Sequence, residues 1–238
     1  MNAINIISGC LIPDRTIKEI FVRFSARESN PKGELEFHNS FTLLIAVVLS
    51  AQATDKSVNK VTRVLFQKAD TPEKILFLGY DGLLEIIKSI GLYRNKARAI
   101  VSLSDILINC YGGEVPSSRN DLESLPGVGR KTASVVLNTW FGEPCIAVDT
   151  HVFRVSRRLG LADGKNVEET GEILEQVVPD KYKVSAHHWF ILHGRYVCKA
   201  RRPLCSQCFL SDLCQKNSKT HIDSDFLENT NQKSHKGA

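Results

Sequence analysis

Apolar residues return every three or four positions through most of the chain, the repeat of a helix with one buried face. Ile17, Ile20, Phe21 and Phe24 fall at i, i+3, i+4 and i+7. Val58, Val61 and Leu65 follow the same rule, as do Leu83, Leu84, Ile86, Ile87 and Ile90. From Phe41 to Leu49 only Thr42 interrupts an apolar run, which predicts a helix buried on most sides. Breakers at Pro31-Lys-Gly, Thr71-Pro, Gly112-Gly, Pro126-Gly, Gly142-Glu-Pro and Pro179 cut the pattern into about eleven short helices. Cys145 to Val148 suits an extended strand, but nothing nearby offers it a partner. The expected fold class is all-α. Beyond Asn217 the chain is polar and poor in large apolar groups, so residues 217–238 read as a mobile tail.

Composition narrows the class without naming a function. The 238 residues are 42% hydrophobic and 24% charged, the balance of a soluble globular protein rather than a disordered or fibrous one. A net charge of +5 favours a polyanionic partner, and a slightly positive solvated surface accounts for it as well. No stretch reaches the roughly 20 apolar residues of a membrane span. Ile4, Ile6 and Ile7 have no basic segment ahead of them, so no secretory signal is expected. Four of the seven cysteines, Cys198, Cys205, Cys208 and Cys214, crowd into seventeen residues, while Cys10, Cys110 and Cys145 are scattered and suggest no role. That distribution points to a reducing compartment and a metal site rather than a disulfide framework.

Three places carry candidate chemistry. The cysteine spacing is C-x6-C-x2-C-x5-C, and four soft thiolates select zinc or an iron–sulfur cluster. Only Cys205 and Cys208 form the short knuckle usual in zinc sites. The first gap holds Lys199, Arg201 and Arg202 and no acid, so it is either a phosphate-contacting loop or a solvated one stapled by the metal. Second, Leu125-Pro-Gly-Val-Gly-Arg-Lys-Thr-Ala133 lies between helical patterns at about 121–125 and 130–140. A turn with Gly127 and Gly129 leaves backbone amides unshielded at a helix start, where Arg130 follows. Such a turn binds a phosphate without reading a base; a plain helical corner is the alternative. Lys131 sits in the first helical turn, against the dipole. The dipole is worth about 0.3–1 kcal/mol, too little to neutralise a lysine whose ordinary pKa is about 10.4. Burial would have to supply the rest, and the residues by themselves favour a phosphate contact or a solvated charge. Third, Asp149 precedes a helical run with Val152, Val155, Arg158 and Leu159. It is an ideal N-cap, and a capping carboxylate stays ionised, so capping and stabilising a cationic centre are compatible.

Together these segments resemble the endonuclease III family of DNA glycosylases, within the helix-hairpin-helix glycosylase superfamily. The likeness covers roughly residues 33–215. It includes Leu49-Ser-Ala-Gln-Ala-Thr-Asp55, Gly91-Leu-Tyr-Arg-Asn-Lys-Ala97, the hairpin 125–133, Ala147-Val-Asp-Thr-His151, Leu192-His-Gly-Arg195 and the four-cysteine loop. The resemblance implies that Lys131 is the nucleophile, Asp149 the catalytic aspartate, and the four cysteines the ligands of a [4Fe–4S] cluster. Gln52 then fills the space of an extruded nucleotide and Leu92 is a wedge between bases. It also implies two helical domains with a cleft between them: a bundle at 33–143 with the helix-hairpin-helix, and a cluster domain formed by 1–32 and 144–216. The implied activity is a bifunctional DNA glycosylase and AP lyase. It would remove oxidised pyrimidines from double-stranded DNA and nick abasic sites through a lysine Schiff base. The implied protein is a monomer in the cytoplasm, associated with the nucleoid and with no membrane partner. The alternatives are an adenine-specific mismatch glycosylase and a non-catalytic DNA-binding module.

Overall fold

The computed structural model describes residues 9–216. Among them are ten α-helices and one 3₁₀ turn, Cys205–Gln207, with no strand. The all-α expectation holds, and Cys145 to Val148 runs without regular structure. The expected tail at 217–238 lies outside the described residues. The chain divides into two compact units. One is Lys32–Ala147; the other is Met1–Pro31 with Val148–Ala238.

The first unit is built around one apolar helix. Helix α2 (Ser40–Ser50) has every residue from Phe41 to Leu49 buried, because α3 (Asp55–Lys68), α5 (Tyr93–Tyr111) and α7 (Arg130–Phe141) all pack on it. Its start is fixed reciprocally: the Asn39 side chain accepts from the Thr42 amide at 2.7 Å, and Thr42 Oγ1 accepts from the Asn39 amide at 3.0 Å. This capping box satisfies two amides the helix leaves unpaired. Thr54 caps α3, and Thr71 caps α4 (Pro72–Ile87) with proline in its first turn. Helix α4 breaks at Gly79 (φ 71°) and then packs along α5. The short α6 (Arg119–Ser124) leads through a tight turn into α7.

The second unit pairs the start of the chain with its C-terminal half. Helix α1 (Asp14–Arg27) buries Ile17, Ile20, Phe21 and Phe24, the four positions of its sequence repeat. They meet α10 (Asp180–Tyr196): Phe24 stacks on Trp189 at 5.7 Å, and Phe21 meets Phe190 edge-on at 5.9 Å. Such pairs add about 0.5–1.5 kcal/mol beyond area burial. The Trp189 indole donates to Glu28 O at 2.8 Å, tying the end of α1 to α10. Helix α8 (Thr150–Leu159) lies against α10 where Gly194 lets the backbones close, since a Cβ there would stand 2.9 Å from His151 Cβ. Helix α9 (Val167–Val177) completes the unit. His187, His188 and His193 are buried packing residues. Burial pushes the His193 pKa down to about 4, helped by Arg27.

Candidate functional site

In the first unit, the turn between α6 and α7 is held from below and open from above. Leu125 and Val128 are buried, and the Val128 amide donates to Leu125 O at 3.1 Å. Gly127 has φ +80°, and a Cβ there would stand 2.9 Å from Ala99 Cβ and 3.6 Å from Val48 Cγ1. The turn is therefore pressed onto α5 and α2, where only glycine fits. Gly129 is different: it is the N-cap of α7 with φ −94°, and no atom lies within 4 Å of where its Cβ would be. No side chain caps α7. The first-turn amides at Arg130, Lys131 and Thr132 lack intrahelical acceptors, and the dipole adds positive potential there. Arg130 and Lys131 are both exposed.

Gln52 and Leu92 share a property that sequence periodicity does not carry. They are the two non-glycine residues with positive φ among the described residues, at 56° and 59°. Each such conformation costs about 1–3 kcal/mol and persists only where the surroundings enforce it. Gln52 lies in the turn between α2 and α3, and Leu92 is the N-cap of α5. Both side chains face solvent, Leu92 at 56% exposure. Leu92 is therefore not a core leucine, although it is apolar and lies two residues from buried Ile90. The two turns touch, since a Cβ on Gly91 would lie 3.7 Å from Gln52 O.

In the second unit, Asp149 caps α8. Its Oδ1 accepts from the amides of His151 and Val152, each at 2.8 Å. The same helix clamps the cysteine loop from its other turns. Arg154 Nε donates to Cys198 O at 3.0 Å and Nη2 to Gly194 O at 2.9 Å. Arg158 donates to Lys199 O at 2.7 Å, to Ala200 O at 2.8 Å and to Cys198 Sγ at 3.4 Å. With the loop backbone held this way, the side chains of Lys199, Arg201 and Arg202 project into solvent. Sequence reasoning singled out neither Arg154 nor Arg158 for this. The available signal was two arginines four residues apart on a helix that starts at a candidate acid.

The four cysteines of that loop line one cavity of about 160 Å³, together with Arg158 and His193. One water needs only about 10–15 Å³ on this measure, so the space suits a multi-atom core. Among the described residues no three His, Cys, Asp or Glu side chains gather on a point that would hold a single ion; these thiols are spread around the cavity wall. Burial raises the Cys208 pKa, and the Cys214, Cys198 and Cys205 thiols raise it further. A cationic core removes that repulsion by binding the thiolate forms. The residues present therefore fit an iron–sulfur cluster.

Comparison with known proteins agrees with both halves of this description. Residues 45–180 match the family of HhH-GPD superfamily base excision DNA repair proteins, and residues 198–214 match the iron-sulfur binding domain of endonuclease III. The chain is 54% identical to endonuclease III of Haemophilus influenzae over 204 residues, 86% of this chain and 97% of that protein. It is 50% identical to endonuclease III of Treponema pallidum over 208 residues, 87% and 99% of the two chains. A solved structure of a trapped endonuclease III–DNA covalent intermediate matches with a TM-score of 0.82 and 46% identity, covering 89% of this chain and all of that one. A thermostable thymine-DNA glycosylase matches with a TM-score of 0.76 and 26% identity, covering 87% and 98%.

Two outcomes follow from this geometry. Gly129→Ala should cost no more than the N-cap penalty of about 1 kcal/mol, because the protein has room for the methyl, yet weaken duplex DNA binding several-fold. Gly127→Ala should instead destabilise the fold by about 1–3 kcal/mol. Melting curves and fluorescence anisotropy at fixed salt separate the two, and a Gly129→Ala protein that binds DNA normally would remove the phosphate role of the turn. Purified protein should be brown and carry iron and sulfide in equal amounts, and Cys205→Ser should lose both; a colourless protein with one zinc per chain would contradict this.

Proposed function

The chain belongs to the endonuclease III family of base excision DNA repair proteins, and from that membership we propose a site and a reaction for it. It is a bifunctional DNA glycosylase and AP lyase with a [4Fe–4S] cofactor. Its substrate is a damaged, oxidised pyrimidine, or an abasic site, in duplex DNA. It acts as a monomer on cytoplasmic DNA; among the described residues no helix is long and apolar enough to cross a membrane. The two compact units serve as its domains, one carrying the hairpin with Lys131 and the other Asp149 and the cysteine loop. Neither the adenine-specific mismatch reading nor the non-catalytic one is favoured by relatives that match nearly end to end.

The open turn at Gly127 and Gly129 holds a DNA phosphate on the free amides of α7. Lys199, Arg201 and Arg202 contact the DNA backbone. Extruding one nucleotide costs a few kcal/mol, and burying a leucine side chain returns about 1.5–3 kcal/mol. Leu92, exposed in the free protein, recovers that energy between bases while Gln52 fills the vacated space. Damage that weakens stacking lowers the cost and favours the lesion.

The chemistry is a substitution followed by an elimination. The neutral Lys131 amine attacks C1′, and the glycosidic electron pair leaves with the base. Ring opening gives an iminium, which acidifies the C2′ proton. Loss of that proton expels the 3′ phosphate and nicks the strand, and hydrolysis of the iminium frees Lys131. Asp149 stabilises the positive charge that develops at the sugar. Cys198, Cys205, Cys208 and Cys214 would hold the cluster, which when bound supplies a rigid staple for the basic loop.

A single observation carries this reading: an exposed lysine beside an uncapped helix start, in a chain whose relatives include a trapped covalent DNA intermediate. Borohydride should trap the protein covalently on duplex DNA bearing an oxidised pyrimidine, and Lys131→Ala should trap none; equal trapping by both would remove Lys131 from its role. Asp149→Asn retains an N-cap side chain, so melting should be unchanged while base excision falls by roughly 10²-fold or more. Excision at the native rate would leave Asp149 as a cap and nothing else.

A further inference from the structure

Lys96 is the one buried lysine among the described residues, at 6% exposure. It lies on the apolar stripe of α5 with Ile100, Leu103 and Leu107. Its ammonium donates to Leu49 O at 2.9 Å and to Ala51 O at 2.6 Å. Those carbonyls end α2, which has no basic residue in its own last turn. Lysine in the first turn of α5 is opposed by that helix's dipole and favoured by the dipole of α2, so its placement serves α2. Burial lowers its pKa, which marks how far the ammonium is withdrawn from water.

We propose that Lys96 is a positioning residue that locks the Gln52 turn to the Leu92 turn, so that the two side chains enter DNA as one rigid wedge. Its ammonium holds the residue immediately before Gln52, and its backbone amide donates to Leu92 O at 3.1 Å. One residue thus bonds to both segments in which a non-glycine residue has positive φ. Gly91 meets Gln52 O between them, with no side chain to push them apart. Without the ammonium, the buried Leu49 carbonyl and the part-buried Ala51 carbonyl lose this donor, and both left-handed residues are released toward ordinary backbone conformations. The inference deepens the reading of Gln52 and Leu92 as DNA-inserting residues and rests on it.

Hydrogen exchange in the free protein tests the clamp, and a ratio of activities tests its purpose. In Lys96→Met, amides at 51–54 and 91–95 should exchange roughly tenfold faster, with α7 and α8 unchanged. Excision of an oxidised pyrimidine from duplex should fall roughly 10- to 100-fold. Borohydride trapping at an abasic site in single-stranded DNA, where nothing must be unstacked, should change less than about twofold. Lys96→Arg, which keeps charge and donors, should restore both measurements. If Lys96→Met does not fold, Lys96→Gln is read by the same ratio. Native exchange in both turns, or an equal loss on both substrates, overturns the clamp. Gln52→Ala and Leu92→Ala separate the layers: if both excise from duplex at the native rate, the insertion reading fails while the exchange result still decides whether Lys96 joins the turns.

Discussion

A helix leaves four amides unpaired at its start and four carbonyls at its end, and how each end is finished organises both units of this protein. Helix α2 has no basic residue in its own last turn, and Lys96 of α5 donates to the carbonyls of Leu49 and Ala51 at its end. Helix α8 is finished by a carboxylate whose two cap bonds share one oxygen. Helix α7 is finished by nothing of the protein's own, since a glycine stands at its cap. Satisfied ends fix the shape; the unsatisfied end on the surface is left open to an external anion. The same rule of backbone satisfaction therefore yields a rigid scaffold in one place and a candidate binding site in another.

The cysteine loop applies this economy to a segment with almost no regular structure. Residues 198–204 make few backbone bonds to each other, and two arginines of α8 bind their carbonyls instead. Guanidinium forks suit the task because one side chain reaches several acceptors in a plane. The loop's own basic side chains then have no structural duty and project outward. Asp149 heads the helix whose later turns hold that loop, so the acid and the basic loop are carried by the same helix.

Periodicity alone makes the helices legible, because burial of one face leaves a mark every three or four residues: the α1 repeat at 17, 20, 21 and 24 is also its buried set. The hairpin glycines and the cysteine spacing are legible because backbone geometry and metal ligation tolerate few residue types. What periodicity does not carry is a role that depends on backbone conformation or on a distant partner. Leu92 is apolar and sits beside buried Ile90, so its pattern predicts core, yet its left-handed φ turns it outward. Lys96 stood in plain view as a cation on an apolar stripe, but its partners at 49 and 51 are brought to it only by the packing of α2 on α5. Arg154 and Arg158 read as ordinary surface charges until the loop folds over them.

The exposure of Lys131 is informative in the same way. The free protein leaves this side chain exposed, and a nucleophilic amine must be neutral. On the mechanism proposed above, the substrate itself supplies the dry surroundings, as the duplex covers the hairpin and the extruded sugar displaces solvent from the amine. Such an order of events would add selectivity at the point of chemistry to selectivity at the point of binding. On the same proposal, the two turns that carry Gln52 and Leu92 act on reactivity as well as on recognition, because holding the nucleotide out of the helix completes the dry environment around the amine.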